Sequence, residues 1–408
     1  MLEGLKRSVG AGPGMFKLRG TSLFLGLLSA VAIGQSAMAE PWDGAIEPLR
    51  FFPGDLNVTL GAQAGGAAFG ASGSGNRNVS GVFKFMPRLA RDYDSGWSWG
   101  LNAVITANDP LSRGRYAGKV VEKAFVDIRY GLGQLQIGNT DGAGYALAVS
   151  GPKVDTAVSL DDAQTTFFRD PSTGRAFTDI FALRSQVGAS LNYAKFVYLS
   201  PELFGAQLAL SFTPAQSRYG VPFLHQGPQV PGRQVAMWEG ALKYSDQFGP
   251  VTISAYGGGA WGRAEHKLPG QEGVSDLGAG LKLDYSLSDE ITVSAGGAYR
   301  QTNAYAFQLA NARAGGTTRV MQASWAVNYN AWMLGMEYGN GDADAVAGNP
   351  RLGVNAYQGS LGYTFSDSIS VSGGWQRLVY QRSSGVFYNT LPRVNLDAVY
   401  LHVNLKTQ

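Results

Sequence analysis

Residues 121–138 read VEKAFVDIRYGLGQLQIG, and this stretch decides the fold. Apolar and polar residues alternate on both sides of Gly131 and Gly133, which is the pattern of two half-buried strands joined by a tight turn. A further strand-like run leads into YLSPELFG at 198–205. The interval 139–187 between them holds about fifty residues, far more than a compact domain normally leaves without secondary structure. We therefore expect this interval to be a functional loop.

The same alternation recurs along the chain and predicts an all-β protein. Strands are expected near 56–64, 83–91, 97–107, 121–130, 134–138, 190–198, 206–213, 234–244, 251–260, 276–285, 291–301, 318–329, 332–339, 355–365, 369–380 and 395–405. Their number is even, as single-chain bacterial barrels require, and tight turns alternate with long loops. The prediction is a 16-stranded antiparallel transmembrane β-barrel over residues 40–408, with 139–187 as its third long loop.

The composition fits an exported membrane barrel better than a soluble domain. Glycine is abundant (56 residues), 12% of the residues are aromatic, and only 15% are charged, well below the quarter that is usual in soluble proteins. The hydrophobic fraction is 45%, yet beyond the N-terminal region no apolar run approaches the roughly 20 residues of a membrane helix. The absence of cysteine excludes disulfides and thiolate metal sites.

Residues 1–39 are predicted to be a secretory signal peptide. Lys17 and Arg19 precede an apolar stretch, SLFLGLLSAVAIG, and the small-x-small pattern of a cleavage site follows at 37–39. Met15 stands just before this unit and is a possible true start. Removal of residues 1–39 takes four basic residues and one acidic residue from totals of 33 and 30, which leaves 29 of each. Such a neutral mature chain gives no sign of nucleic-acid binding.

Closure of the sheet follows from the membrane environment. An unpaired backbone group in hydrocarbon is so costly that a spanning sheet has to close on itself. A barrel of this strand number encloses a lumen wider than its own side chains can fill, so water enters. Inward-facing residues are then expected to be polar or small. Residues at such positions in the predicted strands are Gln207, Ser211, Lys282, Asp284, Thr292, Ser294, Gln322, Ser324, Asn328, Glu337, Gln358 and Ser360.

The chain resembles the general porins of Gram-negative outer membranes. The resemblance is carried by EKAFVDIRYGLGQLQIGN at 122–139 and VYLSPELFGAQLALSFTPA at 197–215, and more loosely by YSDQFGPVTISAYGG at 244–258 and AVYLHVNL at 398–405. It implies a homotrimer in the outer membrane, in contact with outer-membrane lipids and lipopolysaccharide. It also implies passive diffusion of ions and small hydrophilic solutes, with loop 139–187 folded into the lumen of each barrel as a constriction.

Two features depart from the pattern of these porins. Asn139 stands where many relatives have an arginine, which removes one member of the basic cluster expected near the constriction. The chain ends in LKTQ at 405–408, whereas such barrels usually finish on an aromatic residue that belongs to their assembly signal.

A channel of this kind needs no reactive groups, only a steric minimum and a transverse electric field. Charged side chains that converge at the narrowest point give a pore its charge preference. The acidic candidates in the long loop are Asp155, Asp161 and Asp162. The inward-facing basic candidates are Lys84, Arg88, Lys123, Arg129, Lys195 and Arg300. We expect the two groups to face each other across the opening, although each residue alone has the simpler interpretation of a solvated side chain.

Catalytic and metal-binding functions find little support in the sequence. The histidines His225, His266 and His402 show neither metal-ligand spacing nor the context of a catalytic triad. The acidic pair Asp161 and Asp162 could bind calcium, but a solvated loop is the simpler interpretation. We therefore predict no enzymatic activity, no cofactor and no metal site.

Two other kinds of barrel remain open beside the diffusion channel. A substrate-selective channel with an aromatic slide for sugars is compatible with four phenylalanines in the long loop: Phe167, Phe168, Phe177 and Phe181. A surface adhesin or a structural link to the cell envelope would use the same fold without transport.

Overall fold

The computed structural model describes residues 49–51, 56–71, 79–108, 121–161, 183–216, 232–346, 348–383 and 393–407. Nearly all regular structure in these residues is β-strand. The predicted signal peptide at 1–39 lies outside the described residues. A one-turn helix spans Ala143–Ala146, and two 3-10 turns span Tyr305–Phe307 and Leu309–Asn311. In the part of the chain that the structure describes, no helix has the length and apolar character needed to cross a membrane.

The strands form one antiparallel sheet that closes on itself. They are β1 (Leu49–Phe51), β2 (Leu56–Ala71), β3 (Val79–Asp92), β4 (Ser98–Asn108), β5 (Val121–Tyr130), β6 (Gly133–Asn139), β7 (Ala194–Leu199), β8 (Ala206–Ala215), β9 (Arg233–Phe248), β10 (Val251–Glu265), β11 (Ser275–Ser286), β12 (Ile291–Thr302), β13 (Thr318–Tyr329), β14 (Trp332–Ala343), β15 (Leu352–Ser366), β16 (Ile369–Arg382) and β17 (Arg393–Lys406). From β2 onward each strand pairs with the next, and β17 pairs with β2. The predicted closed barrel of 16 antiparallel strands is therefore confirmed.

Strand β1 precedes the first strand that the alternation predicts, near 56–64. It pairs with the start of β2, where Arg50 lies opposite Thr59. The same edge of β2 is occupied from Gln63 onward by β17. Between the two, the N–H of Thr407 donates to the Ala62 carbonyl (2.8 Å) and its hydroxyl accepts from the Ala62 N–H (3.0 Å). Thr407 thus continues the seam of the barrel beyond the last paired residue of β17.

The two faces of the barrel wall differ in character. One, called here the apolar face, carries exposed large side chains such as Trp325 (41% exposed) and Met336 (51%). The other, called the polar face, carries the residues that alternate with them, such as Gln322 and the cross-strand pair Glu337 and Gln358. A membrane barrel presents its apolar face to lipid, so the polar face lines the lumen. The predicted inward positions follow this alternation.

Some strand limits differ from those that the alternation predicts. Strand β2 runs to Ala71 instead of ending near 64, because GGAAFGA at 65–71 loses the apolar alternation while its backbone stays paired with β17. The membrane demands that pairing whatever the side chains are. Strand β7 begins at Ala194 and not near 190, because the preceding residues form a turn in which the Tyr193 N–H donates to the Ser190 carbonyl (3.1 Å).

Candidate constriction site

The segment that follows β6 is attached to the polar face at its start. The N–H of Ala143, which begins the one-turn helix, donates to Ser211 Oγ in β8 (3.0 Å). The N–H of Gly144 donates to Glu239 Oε2 in β9 (3.2 Å). The Tyr256 hydroxyl in β10 donates to the Gly144 carbonyl (2.6 Å). Three neighbouring strands therefore hold the start of the segment.

The middle of the segment is anchored by Asp155, whose Oδ2 lies 2.6 Å from Nδ1 of His402 in β17. The same oxygen accepts a hydrogen bond from the hydroxyl of Ser372 in β16. The other oxygen accepts the N–H groups of Ala157 (2.8 Å) and Val158 (3.1 Å). Burial alone raises the pKa of Asp155, but the hydrogen bonds and the charge of these partners outweigh it and lower that pKa below its usual value. A buried carboxylate with this many donors is a firm attachment point.

The residues after Asp155 follow the wall from β15 to β14. The Gln358 side chain in β15 donates to the Val158 carbonyl (2.5 Å). The N–H of Leu160 donates to Glu337 Oε2 in β14 (3.4 Å). These contacts place the backbone of the segment against the polar face on consecutive strands.

Asp161 joins the outgoing and the returning parts of the segment. Its Oδ1 accepts from Gln322 Nε2 in β13 (2.5 Å) and from the N–H of Ser185 (3.2 Å). Its Oδ2 pairs with Lys153 and accepts from the Gln186 side chain. The carboxylate is buried, and both of its oxygens are engaged by these hydrogen bonds and by the ion pair with Lys153.

The residues between the segment and β7 contact β11 and β9. The N–H of Gly188 donates to Asp276 Oδ2 (3.4 Å). Asp276 also accepts two hydrogen bonds from Arg300, at 2.8 and 2.6 Å. The N–H of Ser190 donates to Glu239 Oε1 (3.0 Å), so one carboxylate contacts both the start of the segment and the residues that follow it.

Glycines in the wall allow the segment to lie directly on the strands. At Gly280 in β11, an added Cβ would overlap with the carbonyl oxygen of Val149. At Gly296 in β12, an added Cβ would lie 3.0 Å from the Cα of Gly151. Both contacts join backbone to backbone, so neither can be relieved by a change of rotamer.

Four of the predicted basic residues lie together on the polar face of β3 and β5, which flank β4. They are Lys84 (side chain 31% exposed), Lys123 (24%), Arg129 (53%) and the half-buried Arg88. These four residues are called here the basic wall. Their accessibility distinguishes them from the other predicted basic residues.

Carboxylates accompany the basic wall at close range. Glu122 and Asp127 come from β5 itself, and Asp141 follows β6. Asp127 also accepts a hydrogen bond from Asn102 in β4. The ion pairs are Lys84–Glu122 (3.4 Å), Lys123–Asp141 (2.5 Å) and Arg129–Asp127 (3.0 Å). The basic wall and its carboxylates therefore form a surface of alternating charges with a small excess of positive charge.

The remaining predicted site residues lie elsewhere. Lys195 is fully buried and donates to the Ser190 carbonyl (3.3 Å), and Arg300 is 4% exposed in its pair with Asp276. Asp155 and Asp161 contact β13, β16 and β17 and not the basic wall. Asp162 lies outside the described residues, as do His225 and the four phenylalanines of the loop. That the nine candidates form the constriction stays a prediction.

Sequence reasoning missed the attachment residues Glu239, Asp276 and His402. All three occupy polar positions in alternating strands, which is a signal that the sequence carries. Their partners lie far away along the chain, so that signal cannot show what they bind. Among the described residues, no three His, Asp or Glu side chains converge as a metal site would require.

A closed barrel with an apolar exterior, a polar interior, and tight turns alternating with long loops is the architecture of an outer-membrane channel. Residues 26–383 match the family model of the Gram-negative porins, so the chain belongs to that family. It is an outer-membrane porin, a non-enzymatic channel for passive diffusion. The predicted family, location and lack of enzymatic activity are confirmed, and the channel is favoured over an adhesive or structural barrel.

Several solved structures share this fold at low sequence identity. The anion-selective porin of Comamonas acidovorans is 12% identical, with a TM-score of 0.54 over 86% of this chain and 99% of that chain. The trimer form of OmpT from Vibrio cholerae is 10% identical, with a TM-score of 0.54 over 86% and 100%. The outer-membrane channel DcaP of Acinetobacter baumannii is 11% identical, with a TM-score of 0.56 over 88% and 100%. No curated protein sequence matches the chain significantly.

Proposed function

We propose that segment 139–187 folds into the lumen and forms the constriction, and that solutes pass between this segment and the basic wall. The observation that carries the proposal is the path of the segment along the polar face. It is bonded to β10 at Gly144, to β17 at Asp155 and to β13 at Asp161. Because the polar face lines the lumen, a segment attached at such widely separated strands takes up part of its cross-section.

The opposite arc of the barrel, from β2 to β6, supports the position of the open path. Hydrogen bonds and ion pairs join the connection between β6 and β7 to this arc at Thr140 and Asp141, directly after β6, and at Asn192, directly before β7. The basic wall lies on this arc and keeps accessible side chains. The steric minimum is therefore expected between the middle of the segment and β3 to β5.

The proposed path has a weak preference for anions. Three carboxylates accompany the four cations of the basic wall, which leaves a small positive excess. The two described acidic candidates of the segment do not contact the basic wall: Asp161 is paired with Lys153, and Asp155 is bonded to Ser372 in β16 and lies 2.6 Å from His402 in β17. In a narrow opening whose wall has a low dielectric constant, even a small excess of positive charge biases ion passage.

The proposal includes a homotrimer in the outer membrane. A relative of the same fold, OmpT of Vibrio cholerae, is described in a trimer form. Light scattering of the purified chain in detergent, corrected for bound detergent, gives the number of subunits directly. In planar bilayers, a homotrimer is expected to give conductance steps in groups of three.

A loop deletion tests the constriction. Removal of residues 155–175 is expected to raise single-channel conductance in planar bilayers, because the obstruction and two of its anchors are lost. The control deletes 220–229 from the connection between β8 and β9, two strands whose connected ends lie at the same end of the barrel as those of β6 and β7. An unchanged or smaller conductance after the first deletion, or an equal rise after both, would refute a constriction formed by segment 139–187.

Two single substitutions separate anchoring from charge. Asp162→Asn is expected to shift the reversal potential further towards anions if this carboxylate faces the path. Asp161→Asn is expected to increase open-channel fluctuations instead, because its carboxylate is committed to Lys153 and Gln322. Reversal potentials in a salt gradient distinguish the two outcomes, and a larger shift for Asp161→Asn than for Asp162→Asn contradicts the assignment.

A further inference from the structure

The polar face of β3, β4 and β5 carries apolar side chains among the residues of the basic wall. Along β3, Met86 is the inward residue next to Arg88. Along β5, Phe125 is the inward residue next to Lys123, and Val104 lies opposite Lys123 on β4. The interior of a water-filled barrel is normally polar. Met86, Val104 and Phe125, called here the apolar strip, depart from that pattern beside the proposed path.

The strand register sets the apolar strip between two cations. Arg88 lies opposite Asn102 in β4, and Asn102 lies opposite Phe125 in β5. The other two members of the strip share the neighbouring row, which ends in Lys123 on β5. Beyond Phe125 its row continues with Gly138, which has no side chain to cover the ring. Neighbouring strands lie about 4.8 Å apart, so the Cα atoms of Arg88 and Phe125 are roughly 10 Å apart. Side chains at this spacing can hold the two ends of one small molecule.

In the described part of the chain, the segment covers apolar inward residues elsewhere on the polar face but not the apolar strip. Val320, Val354 and Leu378 lie in a buried core that also contains Val158 and Leu160 of the segment. The three residues of the strip belong to none of the buried cores formed by the described residues, and they remain half-buried. The strip is therefore an apolar surface that a passing solute can contact.

Arg88 differs from the other members of the basic wall in its charge balance. Lys84, Lys123 and Arg129 each have a carboxylate within ion-pair distance. Among the described residues, Arg88 has no such partner. The positive excess of the basic wall is therefore located directly beside the apolar strip.

We propose that Arg88 and the apolar strip form a binding subsite for aromatic carboxylates in the path along the basic wall. A guanidinium group matches the two oxygens of a carboxylate. The ring of the solute stacks on Phe125, and the thioether of Met86 makes favourable contacts with aromatic rings. An inorganic anion uses only Arg88, and a neutral sugar uses only the strip. The inference rests on the proposed function, since it requires that solutes pass along the basic wall.

The test measures how an added solute reduces the chloride current of the purified protein in planar bilayers. Benzoate is the probe, acetate carries the same charge without the ring, and benzamide carries the ring without the charge. Benzoate is expected to halve the current at a concentration about tenfold below that of either comparison compound, because ring stacking and the charge-assisted hydrogen bond act together. Equal values for benzoate and acetate, or for benzoate and benzamide, would overturn the proposal.

Two substitutions assign the subsite to these residues. Phe125→Leu keeps an apolar side chain but removes the ring, so the advantage of benzoate over acetate should fall about fivefold, equivalent to about 1 kcal/mol of aromatic contact. Arg88→Gln should weaken the block by both anions and shift the chloride reversal potential towards cations. Phe83→Leu is the matched control, because it removes an exposed ring from the apolar face of β3. An equal fall in that control would overturn the assignment to Phe125.

The outcomes separate this inference from the proposed function. If Arg88→Gln shifts the chloride reversal potential but Phe125→Leu keeps the wild-type advantage of benzoate over acetate, the path stands and the subsite is wrong. If Arg88→Gln leaves both the reversal potential and the block by benzoate unchanged, the path along the basic wall is wrong and this inference fails with it.

Discussion

Oδ2 of Asp155 lies 2.6 Å from Nδ1 of His402, although 247 residues separate the two in the chain. Asp155 belongs to the segment between β6 and β7, and His402 belongs to β17, the strand that closes the barrel against β2. The position of the long segment is therefore tied to the closing strand. A change in this pair is expected to affect both the stability of the barrel and the proposed path through it.

Replacement of His402 by alanine tests the stabilising part of this relationship. The substitution leaves a buried carboxylate without its partner, and loss of one member of a buried pair costs about 3 kcal/mol. We expect a lower midpoint in urea unfolding and larger fluctuations of the open-channel current. His266→Asn, a change at an exposed histidine outside the pair, is the control and should alter neither property. Equal stability of His402→Ala and wild type would show that the pair contributes nothing.

The pH dependence of the same anchor follows from the lowered pKa of Asp155. Because the folded pKa lies below the usual value of 3.8, the carboxylate contributes stability that is fully present well above pH 3.8. That contribution is lost as the pH falls through 3.8 towards the lower folded value. Open-channel fluctuations measured from neutral pH downward should rise only in this acid range. The Asp155→Asn variant should lack that acid-induced step, and the same step in the variant would assign it to another group.

Asp127 is expected to moderate the charge preference of the path. It is 1% exposed, and its Oδ2 lies 3.0 Å from Nε of Arg129 in the basic wall. Asp127→Asn leaves a similar shape but removes the negative charge, so the reversal potential in a salt gradient should move towards anions. Arg129→Gln should move it the opposite way. Asp246→Asn, an exposed carboxylate at the turn end of β9, is the control, and an equal shift there would mean that general surface charge sets the preference.

The barrel could be predicted from the sequence because its physical cause is local. Alternation of apolar and polar residues fixes which side of a strand meets lipid, and every strand from β4 to β6 shows it clearly. The end of β2 could not be predicted, because alanine and glycine at 65–71 carry no alternation and the pairing with β17 is enforced by the membrane. Strand β1 has only three residues, too few for a periodic pattern.

The attachment of the long segment lay beyond sequence reasoning for a different reason. Acidic residues such as Asp155 and Asp161 are equally compatible with an open path and with a buried anchor. The choice depends on donors from distant strands, namely His402 for the first and Gln322 for the second. The four residues of the basic wall are different, since alternation alone assigns their face and their strands, β3 and β5, both pair with β4.

The backbone contact at Gly280 gives a final test of where the segment lies. An alanine at this position in β11 would place its Cβ against the carbonyl oxygen of Val149, which has to move away from the wall. We expect a loss of about 2 kcal/mol of stability from overpacking, and a smaller conductance because the segment is displaced towards the open path. Gly257→Ala in β10 is the matched control, since nothing lies within 4 Å of its added Cβ. That variant should keep the wild-type conductance and gain about 0.5 kcal/mol from reduced freedom of the unfolded chain. Unchanged conductance in Gly280→Ala would mean that Val149 can shift without narrowing the path. A larger conductance would place the segment outside the path.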